Sequence, residues 1–112
     1  MEFKAYVKRL LENTGWAVET TPSTGEGSED LIARRHDEMD LESIRYVQCK
    51  NCPFPVGVDV VRELHGVLPR QLPGTRGVLV CPSGFTADGI AFGRDRSIVL
   101  WDRHYLFEIL DG

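Results

Sequence analysis

The sequence predicts an α/β fold: one mixed β-sheet flanked by helices, in the order α-β-β-β-α-β-α-β-α. Three observations predict it. The chain opens on an amphipathic helical stretch followed by two strand-like segments. The segments IRYVQCK and GVLVCP carry apolar groups in the pattern of strands covered on both faces. In the second half, strands alternate with helices, which implies parallel strands joined by helical crossovers.

Taken in order, residues 2–14 place Phe3, Val7, Leu10, Leu11 and Thr14 at helical spacing, and Gly15 closes the helix. WAVETT, 16–21, is strand-like. PSTGEGSED is a turn rich in Gly and Ser that leads into the short apolar strand DLIAR, 30–34. RHDEMDLES is polar and reads as an exposed hairpin connection. IRYVQCK, 44–50, puts Ile44 and Tyr46 on one face, Val47 and Cys49 on the other. Asp59 is expected to cap a helix over 60–69 with Val61, Leu64, His65 and Leu68 inward. Pro73 and Gly74 mark a loop, and 77–82 is a buried parallel strand. Thr86 caps a short helix ending near Gly93. SIVLW, 97–101, is the last strand, and Asp102 caps a final helix with Leu106, Ile109 and Leu110 inward.

A length of 112 residues suits one domain with a core that needs no disulfide staples. No apolar run is long enough to span a bilayer, and the polar residues from the first turn onward do not form a signal peptide. Three cysteines, an odd number, point to free thiols and a reducing, cytoplasmic setting. Thirteen Lys and Arg against seventeen Asp and Glu leave a net charge of −4, with no basic half. That balance argues against a module whose sole task is gripping nucleic acid, because phosphate contacts need cations. It leaves room for an enzyme that gathers carboxylates around a metal.

The densest chemistry lies in QCKNC, 48–52. Cys49 and Cys52 form a CxxC spacing, but Pro53 and Pro55 deny it the helix start on which redox pairs sit. A structural zinc site needs four ligands; there is no second CxxC, and Cys81, His36, His65 and His104 are scattered. Cys49 and Cys81 read as small core residues. Gln48 and Lys50 share one strand face. If the strands before and after the 35–43 connection pair, Asp30 lies near both. An acidic metal ligand, an amide oxygen and an ammonium then surround one point. His65 and Trp101 read as packed core residues, and Ser83, Gly84 and Thr86 as a helix-capping turn that could also face a phosphate.

Nearly the whole chain resembles the Mrr-type restriction endonuclease catalytic domain of the PD-(D/E)xK nuclease superfamily. The resemblance runs through LLENTGW, GEGSEDLIA, VQCKN, VGVDVVRELHGVL, GVLVCPSGFTADGIAF and IVLWDRHYLFEIL in order. It implies a restriction-endonuclease-like sheet and one nuclease domain over 1–112, the catalytic part of a larger protein or assembly. It implies hydrolysis of phosphodiester bonds in DNA, in restriction or defence. Asp30, Gln48 and Lys50 would be catalytic. Asp30, Gln48 and the backbone carbonyl of Cys49 would hold Mg²⁺, for which Mn²⁺ can substitute. Where the family often carries a Glu in its first helix, this chain has Lys4, and Glu29 replaces an apolar residue of the turn. The alternative is therefore a weakly active or inactive nuclease-fold module that binds nucleic acid or protein. The charge and length imply help in engaging DNA, from a second copy or an appended recognition or sensor domain.

Overall fold

A computed structural model describes residues 2–21 and 29–112, Glu29 by its backbone alone. The Gly-rich turn, residues 22–28, lies outside the described residues. The elements are α1 (Phe3–Asn13), β1 (Ala17–Thr21), β2 (Glu29–His36), β3 (Glu42–Cys49), α2 (Val58–Val67), β4 (Arg76–Val80), α3 (Ala87–Asp95) and β5 (Val99–Trp101). A π-helical segment, Tyr105–Leu110, ends the chain. The order agrees with that expected from the sequence.

The strands form one sheet in the order β1-β2-β3-β4-β5. β1, β2 and β3 are antiparallel neighbours, whereas β3, β4 and β5 run parallel. The β2–β3 hairpin is longer than the apolar letters suggested, because Arg35 and His36 also pair, with Ser43 and Glu42. Its turn is built by Asp37, whose Oδ1 accepts hydrogen bonds from the amides of Met39 and Leu41, each at 2.9 Å. Asp40 takes the left-handed conformation there (φ 61°), which an Asp tolerates better than most residues.

Strand alternation sends side chains to two separate cores. On one face, Leu31, Ala33, Val47, Cys49, Val78 and Val80 pack against Val7, Leu10 and Leu11 of α1 and against Leu106. On the other, Tyr46, Leu79 and Cys81 pack against Val61, Leu64 and Val67 of α2 and against Ile98. α1 ends as the sequence indicates: Gly15 is left-handed (φ 97°), its amide donates to Glu12 and that of Trp16 to Leu11. α3 runs two residues past Gly93, and Thr86 caps it through its side chain, which accepts from the Gly89 amide.

Three expectations need correction. α2 starts at Val58 with Gly57 as its cap, so Asp59 sits inside the first turn, where its charge still favours the positive helix end. His65 is exposed; the helix tightens into a 3-10 turn at Leu68–Arg70, and the third inward place falls to Val67. Ile109 is also exposed, while Leu106 is buried and Leu110 is partly so. The wider π-helical winding, seen in the Asp111 amide bonding to the Leu106 carbonyl, aligns residue i+4 rather than i+3 with the inward face.

Leu64 has no exposed surface and joins α2 to β4 beside Gly77. Leu64→Ala is expected to cost about 2–5 kcal/mol of unfolding free energy, the usual range for a buried leucine. Urea unfolding followed by circular dichroism measures it, and a loss well below that range would show that the α2 face is loosely packed.

Candidate active site

The β2–β3 register sets Asp30 directly opposite Gln48. Both are 0 % exposed, and they are the polar or charged residues that the core holds among the described residues. Asp30 alternates with Leu31, and Gln48 with Val47 and Cys49, so both side chains leave the sheet on the face covered by α2. Tyr46, two residues before Gln48 on that face, donates its hydroxyl hydrogen to Asp30 Oδ2. The other carboxylate oxygen, Asp30 Oδ1, is buried and accepts no hydrogen bond among the described residues. Gln48 Oε1 is in the same condition as an atom, although the residue has other contacts.

Lys50 follows at the end of β3. Its amide donates to the Val80 carbonyl at 2.8 Å, which carries the β3–β4 ladder one step further. The side chain lines a cavity of about 260 Å³ with Cys52, Val56, Asp59 and Val60. Val56 and Val60 belong to the α2 face, so Lys50 emerges on the same side of the sheet as Asp30 and Gln48. The loop after Lys50 is held by a parallel bridge between Val56 and Phe85 and by the Ser83 hydroxyl, which donates to the Cys52 carbonyl at 2.6 Å. The Ser83–Thr86 turn is thus employed in capping α3 and in fastening this loop.

The two cysteines of the CxxC spacing part company. Cys49 is buried in the α1-side core, whereas Cys52 packs against the α2-side core. The thiol near Cys52 is that of Cys81, with 3.8 Å between sulfurs, and burial pushes the Cys81 thiol pKa up. All three cysteines are free.

A buried carboxylate is costly unless it is paired or binds a metal. Asp30 has one donor on one oxygen, and an amide oxygen stands across the strand pair. These are hard oxygen donors, which suit Mg²⁺ or a similar cation holding several waters of its own. No group of three His, Cys, Asp or Glu side chains occurs among the described residues. Among the described residues, a metal here would therefore rely on the Asp30 carboxylate, the Gln48 amide and backbone oxygen. Sequence reading missed Tyr46, which it counted as apolar, and the place of Asp59 in the lining of the cavity that Lys50 shares. The first was detectable, since Tyr46 shares the face of Gln48 by the same alternation.

Over residues 1–110 the chain matches the family model of the Mrr catalytic domain, described as restriction endonuclease. No curated protein matches it. Among solved structures it is similar to a protein of unknown function, AF1548, with a TM-score of 0.72 and 19% identity over 96% of this chain and 63% of that one. It is similar to EndoMS in its apo form, with a TM-score of 0.56 and 15% identity over 91% of this chain and 46% of that one. A third is the MspJI restriction endonuclease in complex with a 27-mer oligonucleotide, with a TM-score of 0.56 and 16% identity over 93% of this chain and 26% of that one. The chain thus spans less than two thirds of each. The likeness establishes the shared sheet-and-helix architecture.

If Asp30 Oδ1 is kept open for a cation, Mg²⁺ or Mn²⁺ should raise the melting temperature of the wild-type protein, because a ligand that binds only the folded state stabilises it. Asp30→Asn should melt no lower than wild type in EDTA and gain nothing from the metal. Scanning fluorimetry with and without the cation decides it; an equal metal response in both proteins would remove Asp30 from the site.

Proposed function

The chain belongs to the Mrr catalytic-domain family of restriction endonucleases, and on that premise we propose that it is a divalent-metal-dependent endodeoxyribonuclease acting in restriction or defence. The observation that carries the reading is the fully buried Asp30, register partner of Gln48, whose Oδ1 accepts no hydrogen bond among the described residues, at the strand end where Lys50 follows. Asp30 Oδ1, Gln48 Oε1 and the Cys49 carbonyl would hold Mg²⁺, with Mn²⁺ as substitute. When bound, the cation supplies charge that offsets the phosphate and makes water easier to deprotonate. Tyr46 holds Oδ2 and so aims the remaining oxygen of Asp30. The Lys50 ammonium orients the attacking water and stabilises negative charge developing on the scissile phosphate. Gln48 is neutral where related nucleases carry Glu, so metal affinity is lower than with two carboxylates.

DNA is the substrate class in this reading, engaged with the help of a second copy or an appended recognition or sensor domain. The net charge of −4 supports that need, since few phosphates can be neutralised away from the site. Cutting both strands takes two active sites. Phe107 and Ile109, 44% and 54% exposed on the last helix, supply apolar surface for a contact. Free thiols at all three cysteines suit a cytoplasmic setting. No helix among the described residues is long and apolar enough to cross a membrane.

A plasmid-nicking assay tests the reading. Cleavage should require Mg²⁺ or Mn²⁺ and stop with EDTA. Asp30→Ala and Lys50→Ala should each lose activity by about 10²-fold or more while remaining folded, whereas Cys52→Ser should cut like wild type. Near-normal nicking by either of the first two variants would refute the assignment. In Ca²⁺, the isolated domain should bind a DNA duplex weakly and lose that binding as salt rises; tight, sequence-specific binding by a monomer would show that no helper is needed.

A further inference from the structure

The face of the sheet turned away from Asp30 carries a second feature. A cavity of about 370 Å³ opens between the end of α1, the sheet and the last helix, lined by Trp16, Arg35, Arg45, Trp101 and Tyr105 over a floor of Val47 and Val78. That volume lies within the range of small-ligand sites. The Arg35 guanidinium lies 4.4 Å from the centre of the Trp16 ring, and that of Arg45 lies 5.3 Å from it. On the other side, Trp101 and Tyr105 stack with ring centres 4.7 Å apart and 17° between planes.

No carboxylate among the described residues pairs with this charge. Arg34, next to Arg35 but on the opposite face of β2, bridges Glu19 and Glu42. Arg35 and Arg45 take part in no ion pair with a described carboxylate, and no acidic residue among the described ones lines the cavity. Arg76, the register partner of Arg45 on β4, adds a third cation beside it. Burial, then Arg76 and Arg35, pull the Arg45 pKa below its ordinary value. In a protein with a net charge of −4, three arginines grouped without an acid form a local excess that an anion would relieve.

We propose that this cavity is a binding site for a nucleoside 5′-monophosphate group, its base against the Trp101–Tyr105 side and its phosphate on Arg35 and Arg45. The chemistry calls for a ligand that is flat and apolar at one end and a compact dianion at the other. Aromatic rings stack on any base without reading its identity, and guanidinium groups take phosphate oxygens in a fork. The choice of a nucleotide among aromatic anions rests on the nuclease reading; the cavity and its charge do not. The group can come from a free nucleotide or from the 5′ end of a nucleic acid strand. The site lies across the sheet from Asp30, Gln48 and Lys50, so it is separate from the cleavage centre.

The chain has two tryptophans, and both line this cavity, so tryptophan emission reports on it alone. Emission of the full chain, excited at the red edge of the indole band in EDTA, is titrated with AMP, adenosine, inorganic phosphate and a short 5′-phosphorylated oligonucleotide. Saturable quenching by AMP, with adenosine and phosphate each far weaker, is the expected result. The tighter of AMP and the oligonucleotide identifies the source. Arg35→Gln, at an exposed position, should weaken AMP binding by roughly tenfold or more, the loss typical of a charge-assisted hydrogen bond. Arg45→Lys should weaken it less than Arg45→Gln. No quenching by either phosphorylated ligand, quenching by adenosine as strong as by AMP, or unchanged affinity in Arg35→Gln would each overturn the proposal. Metal-dependent nicking measured on the same preparations separates the two readings: cleavage without quenching defeats the cavity alone, and quenching without cleavage defeats the nuclease alone.

Discussion

A carboxylate sits wholly inside this protein, opposite an amide, with a hydrogen bond from Tyr46 on one oxygen and no donor among the described residues on the other. Left without partners, such a group costs several kcal/mol and would in most cores be replaced by a hydrocarbon. Its presence constrains its surroundings. β2 must pair with β3 in a register that sets Asp30 against Gln48, because a slip of β2 by one residue would turn Asp30 toward α1 and bring Leu31 to the face that Gln48 occupies. Asp37 secures that register from the hairpin end, and the buried rows on both faces secure it along the strands.

The two faces of the sheet differ in chemistry. Its α2 face carries the oxygen donors and Lys50, and the loop beyond Lys50 is fastened to the 81–86 loop by the Val56–Phe85 bridge and the Ser83–Cys52 bond. Its α1 face carries a hydrocarbon core bordered by Arg35, Arg45 and Trp16 at the end of the sheet away from Lys50 and by Trp101 and Tyr105 beyond β4. Val47 is common to that core and to the lining of the second cavity. A substitution there that alters strand position would be felt on both faces, since Gln48 adjoins it.

Much of this was legible in the sequence, for reasons that differ by residue. Period-two alternation identified Gln48 and Lys50 as face-sharing, and the same rule separated them from Cys49. The placement of Asp30 required only that two flanking strands pair through a polar connection. The misses have physical causes. Asp59 has the chemistry of a helix cap, but the chain enters α2 two residues earlier, at Gly57. Ile109 has helical spacing, yet the last segment winds wider than an α-helix and turns it outward. His65 is exposed because the inward face of α2 is centred on Leu64, between Val61 and Val67, and the next residue in an α-helix lies well round from that face. Arg35 and Arg45 offered no signal at all, because each is an ordinary polar letter in its strand. Only the β2–β3 pairing and the return of Trp16 from α1 bring them to one ring.

The strand order β1-β2-β3-β4-β5 also bears on how the molecule folds. Asp30, Tyr46 and Gln48 all belong to one antiparallel hairpin closed by a turn that organises itself through Asp37. Closing so short a loop costs little chain entropy, and local antiparallel pairs form early relative to parallel ones. The parallel pairing of β3 with β4 must wait until the whole of α2 has been laid down between them. The oxygen donors can therefore meet in the hairpin before the rest of the sheet is complete. The cavity that receives Lys50, and the aromatic cavity on the opposite face, belong to the slower part of the process.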